Sequence, residues 1–207
     1  GHTLLAERAT VNRFCEDSGK RMWAATEKGI FVWKDDAPAG RLFAGCDVQD
    51  IIPLDGDRLL AAVSGRGIFT VSTRDFSSSL YLQPTDSMTA GALRRPSCLL
   101  RRSDGSLWIG TRFDGVVRYD PRQGFRSYTL HSGMASNEIS DMTEDAIGNV
   151  WVSTSYGLSL ISPAFEHVIT YFQSDRLQTQ QFCPHCSLSS PTALYFGGNT
   201  GLAQFSP

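Results

Sequence analysis

The feature that most restricts how this chain folds is an internal repeat. Five segments, beginning at Arg21, Arg58, Ser106, Asn149 and Ala193, share one pattern: an apolar run, a short polar turn ending in Gly, then a second apolar run. Their anchor residues Trp23, Leu60, Trp108, Trp151 and Tyr195 are spaced 37, 48, 43 and 44 residues apart. Periods of about 40–50 residues are those of propeller blades. The turn glycines are Gly29, Gly67, Gly115, Gly157 and Gly201. A tight hairpin requires positive φ near its end, a conformation only Gly adopts without steric cost.

Further strands flank each hairpin. In the fourth unit, residues 138–143 alternate in polarity ahead of the turn Asp145 to Gly148, and residues 167–172 follow the hairpin. The third unit repeats this with residues 97–101, the turn Ser103 to Gly105, and residues 125–130; in the first, residues 10–16 precede Asp17-Ser18-Gly19. Four strands joined as a meander make a propeller blade. The expected fold is therefore all-β, a β-propeller of about five four-stranded blades in a single fragment spanning 1–207. The blades fall at about 7–45, 46–84, 95–131, 137–173 and 184–207. The fifth unit stops after its third strand at Phe205, and Thr3 to Ala6 is a candidate for the missing one. No helical period persists for ten residues; only the polar stretch 177–181 offers a turn of helix. A β-helix would show shorter periods and no hairpins.

Composition fits this reading and excludes some functions. The 19 glycines and 11% aromatic residues suit turns and strands respectively. With 19 basic and 21 acidic residues, the net charge of −2 gives no footprint for nucleic acid or an anionic membrane. No apolar run approaches the length of a membrane span.

The five cysteines, Cys15, Cys46, Cys98, Cys183 and Cys186, are odd in number and irregular in spacing, which is not a disulfide framework. Cys183-Pro184-His185-Cys186 is the sharpest local motif. It lacks the second ligand pair of a zinc site and the α/β setting of a redox centre, and reads as a loop with incidental cysteines, a local disulfide being the next reading. Asp17-Ser18-Gly19 and Asp104-Gly105 lack the spaced oxygen donors of a calcium loop and read as hairpin turns. No metal or cofactor is expected. His2, His131 and His167 stand alone, and no hydrolase, zincin, phosphate-loop or dinucleotide motif is present, so no catalytic residue is assigned. Paired carboxylates brought together only by the fold stay open, and with them a lyase or glycosidase.

The run Leu107-Trp108-Ile109-Gly110-Thr111, followed by Asp114-Gly115 and Arg118-Tyr119-Asp120, resembles the propeller repeats of periplasmic sensor regions in bacterial hybrid two-component system histidine kinases. The fourth unit fits through Glu144-Asp145, Gly148 to Trp151 and Gly157-Leu158. The last, Leu194 to Leu202 ending at Phe205-Ser206-Pro207, is similar to the final blade of such sensors. The second unit departs most, with Leu60 for Trp and Ala61-Ala62 for Ile-Gly. The resemblance implies part of a larger seven-bladed propeller, followed in the parent protein by an immunoglobulin-like domain, a membrane helix and a kinase. It further implies a periplasmic location and a response to glycan-derived oligosaccharides that controls transcription.

On a propeller, the hairpins between second and third strands and the links between blades share one face, and loops on a rigid scaffold are where function tends to sit. The candidate ligand-binding residues there are Arg66, Arg112, Phe113, Asp114, Tyr156 and Asn199. Planar hydrogen-bonding groups beside an aromatic face suit an oligosaccharide or another small ligand. Trp23, Trp108, Trp151 and Tyr195, mid-strand and in register, read as core between blades rather than as stacking platforms. Exposed blade edges favour self-association, and a scaffold for protein partners is the remaining alternative.

Overall fold

The computed structural model describes residues 8–162 and 167–206. The segment Thr3 to Ala6 lies outside the described residues. The chain is all-β and forms five antiparallel blades of a propeller. It falls into two compact units, residues 1–96 and 97–207, each taken by itself below.

The first unit holds two blades. One comprises β1 (Val11–Glu16), β2 (Met22–Thr26), β3 (Gly29–Lys34) and β4 (Ala37–Leu42); the other comprises β5 (Val48–Asp55), β6 (Arg58–Val63), β7 (Gly67–Ser72) and β8 (Ser78–Leu80). A helix, α1 (Ser87–Arg94), follows. At eight residues it is shorter than the ten over which a helical period is sought, and it lies outside 177–181, the one stretch that offers a turn of helix in the sequence. Its apolar stripe is too short to show a period, because only Thr89, Ala92 and Leu93 are buried. A capping box starts it: the Asp86 carboxylate accepts from the Thr89 amide at 2.8 Å, and the Thr89 hydroxyl accepts from the Asp86 amide at 3.2 Å.

The second unit holds three blades. The first is β9 (Pro96–Arg101), β10 (Leu107–Thr111), β11 (Val116–Asp120) and β12 (Gly124–Tyr128). The next is β13 (Ile139–Glu144), β14 (Val150–Thr154), β15 (Gly157–Ser162) and β16 (His167–Tyr171). The last has three strands among the described residues: β17 (Phe182–Ser189), β18 (Leu194–Gly198) and β19 (Gly201–Phe205). The expected helical turn at 177–181 does not form; a 3-10 turn lies just upstream at Gln173–Asp175. Arg176 then takes φ +67° and ends it.

All five hairpin glycines have positive φ. The requirement is strictest at Gly115, where an added Cβ would stand 2.1 Å from the Tyr128 carbonyl oxygen. A threonine at the end of the second strand buckles three of these hairpins. The hydroxyls of Thr26, Thr111 and Thr154 each donate at 2.8 Å to the carbonyl of the turn glycine and accept an amide from the turn.

The cores lie between blades. Trp23, fully buried, clusters with Val48, Ile51, Leu59, Ala61 and Val63 of the second blade. Trp108, also fully buried, clusters with Met142, Val150 and Val152 of the fourth. Trp151 packs with Leu194 and Phe196 of the fifth. Each tryptophan thus fills the face toward the following blade. Tyr195 holds the equivalent position but is half-buried, with no following blade among the described residues; the fully buried aromatic of β18 is Phe196, which faces back to Trp151.

Buried aspartates orient two of these indoles. Asp17 accepts from the Trp23 Nε1 at 2.8 Å and from the amides of Gly19 and Arg21. Asp145 accepts from the Trp151 Nε1 at 2.9 Å and from the amides of Ile147 and Asn149. In the third blade the corresponding residue is Arg102. There the Trp108 indole donates to the Ser106 hydroxyl at 3.1 Å, and that hydroxyl donates to Asp104 at 2.6 Å.

Candidate functional site

Antiparallel meanders put the hairpins β2–β3, β10–β11, β14–β15 and β18–β19 at one end of their blades and the β1–β2-type turns at the other. Within the second unit, the hairpin end holds a cavity of about 230 Å³ lined by Tyr156, Gln173, Gln178, Gln180, Gln181, Asn199 and Thr200. It joins two residues singled out in the sequence, Tyr156 and Asn199, with four glutamines that were not singled out individually. Those glutamines lie in and just after the blade-to-blade link.

The lining is held in place by backbone bonds. The Gly157 amide donates to the Gln180 carbonyl at 2.7 Å, and the Asn199 amide to the Gln181 carbonyl at 3.0 Å. The Asn199 side-chain amide donates to Gln181 Oε1 at 2.7 Å, and Thr200 Oγ1 to the Gln178 carbonyl at 3.2 Å. The link is thereby stitched to both hairpins. Tyr156 is 55% exposed and its ring leans on Phe172, with centroids 5.8 Å apart.

Every side chain of this lining is an amide, a hydroxyl or a phenol. Amides present donors and acceptors together, which matches vicinal hydroxyls, and the phenol adds an apolar face. A second cavity of about 300 Å³ adjoins it through Gln178, lined by Arg176, Leu177, Leu202, Ala203, Gln204 and Phe205. This second cavity is lined mostly by apolar side chains, together with Arg176, and is distinct in character from the first.

The other sequence candidates lie elsewhere. Arg112 and Phe113 are exposed and Asp114 half-buried on the β10–β11 hairpin, and none of them lines the Tyr156 cavity. Arg66 belongs to the first unit, where its guanidinium stacks on Phe43 and Phe69 at 5.7 and 5.4 Å and donates to the Cys46 sulfur.

The opposite end of the second unit carries a larger cavity, about 660 Å³, lined by turns that include Arg102, Ser103, Glu144, Ile147 and Ser190. Arg102, 8% exposed, already bonds Glu144 at 2.9 Å, Asp104 at 2.6 Å and the Gly148 carbonyl at 2.7 Å. Its charge is neutralised within the fold, and Ser103, Ser189 and Ser190 also line this cavity.

No group of three or more His, Cys, Asp or Glu placed to hold a metal occurs among the described residues. Cys183 to Cys186 lie within the strand β17, not in a connecting loop as expected. No described helix is long and apolar enough to cross a membrane.

Comparison with known proteins agrees with the repeat. Residues 133–156 match the model of the two component regulator propeller family. A 78-residue stretch, 37% of this chain, is 31% identical to Histidine kinase P4 of Formosa agariphila and covers 6% of that protein. Among solved structures, the fold superposes on the extracellular domain of a protein assigned as a hybrid two component system from B. thetaiotaomicron. The TM-score is 0.77 and the identity 24%, over 96% of this chain and 28% of that one. A second such extracellular domain from the same organism gives a TM-score of 0.76 at 18% identity, over 99% of this chain and 27% of that one. The chain thus spans under a third of each of these relatives.

The class defined by fold and repeat is the β-propeller. More particularly, residues 133–156 resemble the two component regulator propeller repeat, and the fold is shared with the extracellular domains of two proteins assigned as hybrid two component systems.

Proposed function

We propose that this chain is a ligand-sensing propeller segment of the extracytoplasmic region of a hybrid two-component histidine kinase, that it lies in the periplasm, and that it responds to a glycan-derived oligosaccharide. The observation that carries the reading is the uncharged groove of Tyr156, four glutamines, Asn199 and Thr200 at the hairpin end of the last two blades. It is the chemistry of a polyhydroxylated, neutral ligand, held by convergent hydrogen bonds. The segment itself is a binding module. A conformational change in the parent would pass through a downstream immunoglobulin-like domain to the kinase, and so to transcription.

Titration calorimetry with a panel of neutral and anionic oligosaccharides tests this. A neutral member is expected to bind, Tyr156→Ala to weaken it about tenfold, or about 1.4 kcal/mol, and Arg122→Ala at the opposite end to leave it unchanged. Binding confined to anionic members, or unaltered by Tyr156→Ala, would contradict the reading.

A further inference from the structure

The pairing of β17 with β18 jumps from Phe182↔Gly198 to Ser187↔Phe196. Five steps along one strand face two along the other, so Cys183 to Cys186 stand out of the ladder as a bulge. Two strand steps span about 7 Å, far less than the reach of the intervening chain, so the segment folds back on itself. His185 accomplishes the reversal with φ +54°, a left-handed conformation that is uncommon without Gly. Chain reversals over four residues hold their end Cα atoms within about 7 Å, which overlaps the separation that a disulfide bridges.

Both ends of the bulge are fastened to the neighbouring blade. Ser140 Oγ donates to the Phe182 carbonyl at 3.0 Å. The Ser187 amide and hydroxyl donate to Asp141 at 2.9 and 2.7 Å. The two cysteines therefore project from a fixed base, which raises the effective concentration of one thiol at the other. Cys186 lies over Gly197, where an added Cβ would stand 3.1 Å from the Cys186 Cβ; the glycine leaves room for this side chain. Solvent reaches both: Cys183 is half-buried and Cys186 exposed, whereas Cys15 and Cys98 are buried. Burial, followed by the neighbouring Asp50 charge, pushes the Cys15 thiol up to about 11, so it does not compete as a nucleophile.

We propose that Cys183 and Cys186 are a modification site, a reversible intrastrand disulfide that closes the bulge under oxidising conditions. The oxidant is a small-molecule or protein disulfide. The more exposed Cys186 attacks one of its sulfurs as thiolate and releases one thiolate. Cys183, deprotonated in turn, attacks the Cys186 sulfur of the mixed disulfide and releases the second. The two cysteine thiols lose two electrons to the oxidant, which leaves as two thiols carrying the two protons. Gln181, two residues from Cys183, lines the Tyr156 cavity, so the bridge would stiffen one wall of it.

The test is equilibration of the folded protein in mixtures of oxidised and reduced glutathione, acid quenching, alkylation with N-ethylmaleimide and peptide mass analysis. The peptide with both cysteines is expected to appear unalkylated and two hydrogens lighter, reverting on reduction, while Cys15 and Cys98 remain thiols. Cys183→Ser is expected to trap Cys186 as a glutathione adduct. Three results would overturn the proposal: alkylation of both cysteines throughout the series, a persistent Cys186 adduct in the unsubstituted protein, or a disulfide-linked dimer on a non-reducing gel that persists in Cys46→Ser.

Discussion

Asp17 joins a turn to a core indole with one carboxylate, accepting from two backbone amides, the Trp23 Nε1 and the Arg21 guanidinium at 2.7 Å. Burial pushes its pKa up, but the hydrogen bonds from Arg21 and Trp23 and the Arg21 charge outweigh it and hold the group below the ordinary carboxylate value. A carboxyl depressed in the folded state stabilises fully above its unfolded pKa, about 3.9, and loses that contribution as pH falls through the folded value. Denaturant melts are therefore expected to show stability declining below about pH 4, with Asp17→Asn flattening that decline; an unchanged acid limb would contradict the role. Trp108→Ala is expected to cost about 3–5 kcal/mol as a large core truncation, and a loss under about 1 kcal/mol would mean the ring is not core. The tryptophans were legible in the sequence because their repeat spacing marks equivalent positions. The aspartates were visible only as turn residues, since their bonds to an indole six residues on depend on how the hairpin closes.

At the scale of elements, hairpins were the readable part. A glycine after a short polar turn has one main physical reason to recur, yet the glycines are not equivalent in the structure. Gly115→Ala adds both a positive-φ penalty and a clash with the Tyr128 carbonyl. Gly201→Ala meets nothing within 4 Å and bears only the backbone strain, about 1–3 kcal/mol. Thermal melts are expected to rank Gly115→Ala well below Gly201→Ala, and equal losses would contradict the close approach. Helix α1 escaped detection because three buried positions in eight residues make no visible period, and because its start depends on Asp86 and Thr89 facing each other. Asp86→Ala is expected to speed hydrogen exchange at the Thr89 and Ala90 amides, without affecting the blades. The bulge in β17 escaped for a related reason: Cys183 to Cys186 is polar enough to read as a loop, and only the register with β18 shows that a strand continues through it.

At the scale of the molecule, the blade repeat made the propeller legible, whereas the candidate site was legible only in part. Tyr156 and Asn199 sit at turn positions that the repeat itself marks. The glutamines that complete the cavity come from a link with no repeating pattern, and only the stitching of Gln180 and Gln181 to the two hairpins brings them there. The most direct measurement of the central claim is amide-resolved NMR titration of the chain with a neutral oligosaccharide that binds it. Shifts are expected to concentrate at Tyr156, residues 173–181, Asn199 and Thr200. Shifts centred instead on the opposite turns, at residues 102–104, 144–148 and 189–191, would contradict the assignment of the hairpin-end groove as the ligand site.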